Sequence, residues 1–158
     1  MSERAHPATL WLSDEGAKLI AEREGLELEA YLDSRGILTI GIGHTSAAGQ
    51  PMVHQGMRIT EDEAWKIFRD DNAMFRHECL DLVKVKLHQH EFDALASFIF
   101  NLGSTQFGGS TARKRLNAGD YKGCGEAMSW WDRPSEVIPR RRGEVMQFLH
   151  GRYEARIA

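Results

Sequence analysis

Apolar positions along this chain of 158 residues recur mostly at helical spacing, with one stretch that alternates instead. Ser13 reads as the cap of a helix over Asp14–Glu24, with Asp14 and Glu15 at its positive end. Ala17, Ile20, Ala21 and Glu24 share one side of it, Lys18, Glu22 and Arg23 point outward, and Gly25 stops it. Residues 30–32 are extended, and residues 33–36 (Asp-Ser-Arg-Gly) have the composition of a type I turn. Residues 37–43 alternate as a strand. Leu38, Ile40 and Ile42 take one face, while Ile37, Thr39, Gly41 and Gly43 take the other, which thins to bare backbone and leaves a groove beside Thr39. A loop over 44–59 leads to a capping box, Thr60 with Glu63, that opens a long helix to about Leu82. Gln89–Leu102 is apolar nearly all round, which predicts a buried central helix ended by Gly103. Shorter helices follow, from Ser110 or Thr111 to about Gly119 and from Asp120 to Met128. Pro134 and Pro139 bracket a loop, and a last helix covers 140–157.

The pattern predicts an α+β fold, mainly α: a small sheet lobe (about 14–59), a connecting helix (60–82) and a helical lobe (83–158), within one domain over 1–158. A substrate cleft between the lobes is the expected site. Neither repeats nor linkers interrupt it. The net charge of −3 divides unevenly: residues 1–110 hold 10 Lys and Arg against 17 Asp and Glu, whereas residues 111–158 hold 10 against 6. A basic end of this kind suits an anionic polymer or its own acidic front. Arg113-Lys114-Arg115 and Arg140-Arg141-Arg142 lack interleaved aromatics, so nucleic acid is not expected. Two cysteines, Cys79 and Cys124, make no disulfide framework and are read as inert thiols. His77, His88 and His90 lack ligand spacing and are read as surface or capping residues, so no metal and no cofactor is expected. No apolar run is long enough to span a membrane, and residues 1–12 lack the layout of a signal peptide.

Three residues carry the candidate chemistry. Glu24 closes an apolar helix face, where partial desolvation raises the pKa of a carboxyl and suits it to general acid work. Asp33 lies in an exposed turn and is expected to stay ionised. Thr39 projects toward the bare face of the strand, where a hydroxyl can hold water. Two carboxylates in unlike surroundings are the pair that glycosidic cleavage needs. By type and spacing alone they equally describe a helix terminus, a turn aspartate and a strand threonine.

The longer string is more specific. Glu24-Gly25-Leu26, Leu28, Ala30-Tyr31, Asp33, Gly36 and Thr39-Ile40-Gly41-Ile42-Gly43-His44-Thr45 resembles the signature of phage-type lysozymes, the muramidase endolysins of glycoside hydrolase family 24. Phe92-Asp93-Ala94-Leu95, Phe100-Asn101-Leu102-Gly103, Ser110-Thr111, 116–121 and Arg140-Arg141 with Glu144 resemble the helical lobe of that family, so the likeness covers about 14–150. It implies a lysozyme-like fold and cleavage of the β-1,4 bond between N-acetylmuramic acid and N-acetylglucosamine in peptidoglycan. Glu24 would be the acid, Asp33 the group that activates or steers water, and Thr39 the group that positions it. It further implies that His44 pairs with a carboxylate, for which Asp70 and Asp71 are both open, and that Arg141 or Arg140 reaches toward Glu24. Asn101 is read as a substrate contact or a helix cap, and Trp130 or Trp131 as a stacking surface for sugar. The departures lie at Pro139, which runs straight into Arg140-Arg141-Arg142, and after Trp130-Trp131. A monomer is expected, made in the host cytoplasm, without stable membrane insertion and released to the wall by a holin-type partner. A lytic transglycosylase or chitin/chitosan hydrolase on the same scaffold, or a non-catalytic peptidoglycan-binding module, are the rival readings.

Overall fold

Ser13 caps the first helix, α1 (Asp14–Glu24), through its Oγ, which accepts the Gly16 N–H at 3.0 Å. The structure, a computed structural model, describes residues 3–158; the first two positions of the stretch read for a signal peptide lie outside it. The stripe that α1 buries differs from expectation. Leu19, Ile20 and Arg23 are the buried side chains, so Arg23 does not point outward; it falls four residues after Leu19 and three after Ile20, on their face. Glu24 sits half-buried at the edge of that stripe.

Contacts divide the chain into two compact units, one of residues 21–74 and one of residues 1–20 with 75–158. The first holds a three-stranded antiparallel sheet, β1 (Glu27–Leu32), β2 (Leu38–Gly41) and β3 (His44–Thr45), in that order. Tyr31 pairs with Thr39, Leu32 with Leu38, Thr39 with Thr45 and Ile40 with His44, and a bulge interrupts β1 between Glu27 and Tyr31. The strand expected over 37–43 therefore ends at Gly41, and a second short strand, β3, begins the stretch expected to be loop. Gly41 and Gly43 have φ of +67° and +71°, a conformation that turns the chain back on itself and that side chains with a Cβ resist. Gly41 faces the packed core and not an open groove: a Cβ there would meet Ile59 at 3.5 Å and Ala64 at 3.6 Å, in ordinary contact. Ile40, Val53, Ile59, Ala64 and Ile67 form the core of this unit. Its helix, α2 (Glu61–Leu82), starts with the expected capping box, in which Thr60 Oγ1 accepts the Glu63 N–H and Glu63 accepts the Thr60 N–H.

The other unit is helical. It comprises α3 (Gln89–Leu102), α4 (Ser104–Gly108), α5 (Thr111–Asn117), α6 (Tyr121–Met128) and α7 (Ile138–His150), together with α1 as far as Ile20 and the C-terminal part of α2. Phe92, Leu95, Phe98 and Ile99 of α3 pack with Phe107, Leu116, Met128 and Phe148 in one core, as the all-round apolar pattern of α3 requires. His88 caps α3, and its side chain and that of Glu91 form a reciprocal box. Helix α4 is not apparent in the sequence. The last helix is shorter than expected, because Gly151 at φ +67° ends it, and Pro139 lies in its first turn instead of bracketing a loop. Burial pushes the thiols of Cys79 and Cys124 up to about 12, which leaves both unreactive at neutral pH.

Candidate active site

Three of the sequence-derived site residues lie on one short stretch of the sheet-bearing unit. Glu24 is the final residue of α1, and the next residue, Gly25, leaves the helix at φ +80° while its N–H still bonds to the Ala21 carbonyl at 2.8 Å. Asp33 opens the hairpin between β1 and β2. Its Oδ1 accepts the backbone N–H of Arg35 at 2.8 Å and of Ile37 at 2.9 Å. The bond from Ile37 holds the Asp33 carboxyl below the usual carboxylate range, so it is a carboxylate at any mild pH. The Gly36 N–H closes the turn on the Asp33 carbonyl. Both side-chain bonds fall on Oδ1, which leaves Oδ2 with its lone pairs available to accept.

Thr39 is central in β2 and buried, and its Oγ1 donates to the Ile37 carbonyl at 2.9 Å. The hydroxyl proton is thus engaged, and the oxygen's remaining capacity is to accept. Tyr31 stands directly opposite Thr39 in the ladder, and Asp33 lies two residues further along the same chain. The side chains of Tyr31 and Thr39 consequently share one face of the sheet, and Asp33 follows in the turn, its N–H bonded to the Ile37 carbonyl at 2.9 Å. Burial raises the Tyr31 phenol pKa, and the carboxylates of Glu24, Glu27 and Asp33 push it further the same way. One phenol therefore senses both candidate carboxylates. Tyr31 was not among the sequence-derived candidates, although the Asp33–Gly36 turn already implied that it would pair near the start of β2.

His44 and Asp71 resolve the pairing left open above. The ring is fully buried, with Nδ1 2.8 Å from Asp71 Oδ2 and Nε2 2.9 Å from the Pro51 carbonyl. Asp70 points to solvent and pairs with Lys66. Both ring nitrogens face acceptors, an arrangement suited to the doubly protonated ring. Burial opposes that charge, but the bonds to Asp71 and Pro51 outweigh it, and the His44 pKa is raised. The pair ties the β2–β3 hairpin, and with it Thr39, to α2.

In the helical unit, Arg141 is buried and each of its three nitrogens is committed. Nε donates to the Trp131 carbonyl at 2.8 Å, Nη2 to Asn101 Oδ1 at 2.6 Å, and Nη1 to Glu144. Burial draws the Arg141 pKa down while Glu144 opposes it. Glu144 is fully buried and also accepts from Arg140 at 3.2 Å and from Ser97 Oγ at 2.5 Å. Asn101 is thus a partner of Arg141, and Gly103, not Asn101, caps α3. Trp130 is exposed, with the Arg115 guanidinium 4.8 Å from its ring centre, whereas Trp131 is half-buried against the helical core.

The family model for phage lysozymes matches residues 21–156. The endolysin of Salmonella phage P22 is 38% identical over 142 residues, covering 87% of this chain and 97% of its own. Among solved structures, an endolysin from Escherichia coli O157:H7 phage FAHEc1 superposes with a TM-score of 0.84 at 39% identity, over 96% of this chain and 99% of that one. The muramidase domain of SpmX from Asticaccaulis excentricus superposes with a TM-score of 0.79 at 32% identity, over 88% and 97%.

Proposed function

This chain belongs to the phage lysozyme family, with its lysozyme-like fold and its peptidoglycan-degrading glycosidase activity, and on that premise we propose that it hydrolyses the β-1,4 bond between N-acetylmuramic acid and N-acetylglucosamine. Glu24 in its protonated form donates to the glycosidic oxygen, and the bond to the anomeric carbon breaks. A water attacks that carbon from the other side and gives its proton to Asp33 Oδ2. Thr39 accepts the second hydrogen of the same water. In a single displacement of this kind the two carboxyl groups stand roughly 6.5–9.5 Å apart, with room for the water between them. His44 and Asp71 act in support, by fixing the hairpin that carries Thr39. Arg141 supports the helical unit through Glu144 and Asn101, and exposed Trp130 offers a face to a sugar ring.

The observation that carries this reading is the pair of unlike carboxylates on one small unit: Glu24 half-buried at a helix end, and Asp33 held ionised by two backbone N–H groups, with Tyr31 sensing both. Glycan strands of the wall are the substrate, and a holin-type pore in the inner membrane is the route to it from the host cytoplasm. Clearing of a peptidoglycan suspension tests the assignment. Glu24→Gln and Asp33→Ala are each expected to lose activity by at least about a hundredfold. Equal clearing by wild type and both variants contradicts it.

A further inference from the structure

The water position in that mechanism is lined by acceptors. Asp33 has its Oδ2 available, and the Thr39 hydroxyl has already given its proton to the Ile37 carbonyl. A water that donates to both is still able to swing about the line joining them. Its oxygen has two lone pairs, of which one attacks the anomeric carbon. A donor to the other would fix the tetrahedral arrangement and aim the attack.

We propose that Tyr31 is this donor, a positioning residue whose phenolic O–H holds the attacking water opposite Thr39. The inference rests on the assignment of Asp33 and Thr39 to the water. Three observations support it. Strand pairing sets Tyr31 directly across from Thr39, in the hairpin whose turn Asp33 opens two residues on. The phenol is half-buried, yet its hydroxyl makes no hydrogen bond to protein among the described residues, so its donor is available to a ligand or a water. Burial together with Glu24, Glu27 and Asp33 holds the proton on the phenol, so the donor stays neutral and present throughout the working pH range. In the step itself the phenol keeps its proton: the water forms the new carbon–oxygen bond and its proton passes to Asp33, while the proton of Glu24 goes to the departing oxygen.

Tyr31→Phe removes one oxygen atom and keeps the ring, so no protein hydrogen bond is lost and folding is retained, which a thermal melt checks. With soluble peptidoglycan fragments, kcat is expected to fall roughly tenfold to a hundredfold while KM stays within about twofold, because the lost interaction aims a nucleophile and does not bind sugar. Added azide is anionic and needs no proton acceptor, so the ratio of glycosyl azide to hydrolysed product should rise in Tyr31→Phe relative to wild type. A merely structural role moves neither the azide ratio nor kcat alone. An unchanged kcat in Tyr31→Phe, or a rise in KM at constant kcat, overturns the inference. An Asp33→Ala arm separates it from its premise. If Asp33→Ala is inactive and Tyr31→Phe is fully active, only the role of Tyr31 falls. If Asp33→Ala retains the wild-type kcat, the water assignment falls and Tyr31 falls with it.

Discussion

A fully buried imidazole between a carboxylate and a carbonyl is a charge-dependent fastening. His44 has its pKa raised above 6.5 in the fold by Asp71 and Pro51, despite burial, so the folded state binds its proton more tightly than the unfolded chain does. Its contribution to stability is fully present below about pH 6.5 and is lost as pH rises through the higher folded value. Unfolding free energies measured in denaturant from pH 5 to 9 should therefore decline with pH across that window. In Asp71→Asn the decline should disappear, and the protein should be weaker at pH 5 by about 3–5 kcal/mol, since a buried cation is left without its anion. The same residue shows where sequence runs out. Asp70 and Asp71 are neighbours of one type, and only the rotation of α2 decides that Asp71 faces the hairpin while Asp70 faces water. Arg23 is buried against expectation for a related reason: a long cation on a buried face is invisible to an apolar pattern.

Elements whose signals are local were legible. Helix α1 has its capping serine and its glycine stop, α2 has its Thr60–Glu63 box, and α3 has an apolar pattern too broad for any exposed helix. The β2–β3 hairpin was not legible, because Ile37 through Gly43 alternates smoothly and only the positive φ of Gly41 and Gly43 breaks it. The end of α7 was also not read, although Gly151 in the left-handed conformation stops it locally, and the tail then folds back. A Cβ at Gly143 would sit 2.6 Å from the Ala155 carbonyl oxygen and 2.7 Å from that of Glu154, so the tail after Gly151 runs against the helix face. Gly143→Ala gains up to about 1 kcal/mol of helix propensity. The collision is with backbone, which cannot swing aside, and overpacking of this kind costs about 1–3 kcal/mol. A net loss of stability is expected, read as a lower midpoint in chemical denaturation; a rise would show that the tail yields freely.

At the scale of the molecule, the two units divide the labour by chemistry. The sheet-bearing unit carries Glu24, Asp33, Thr39 and the His44–Asp71 pair, and the helical unit buries a polar group of Arg140, Arg141, Glu144 and Ser97. The family was readable largely from one run of residues, 24–45, and the proposed acid–base pair lies in the same run, along a helix end, a turn and a strand. Tyr31 was hidden, since its relevance lies in pairing across strands and in the field of carboxylates on either side of it. The central claim is that Glu24 and Asp33 act on opposite sides of one sugar linkage, with water as the nucleophile. Proton NMR of glycan strands during the first turnovers tests this most directly. The account predicts reducing N-acetylmuramic acid ends that appear first as the α-anomer; ends that appear first as the β-anomer, or as 1,6-anhydro sugars without water added, would contradict it.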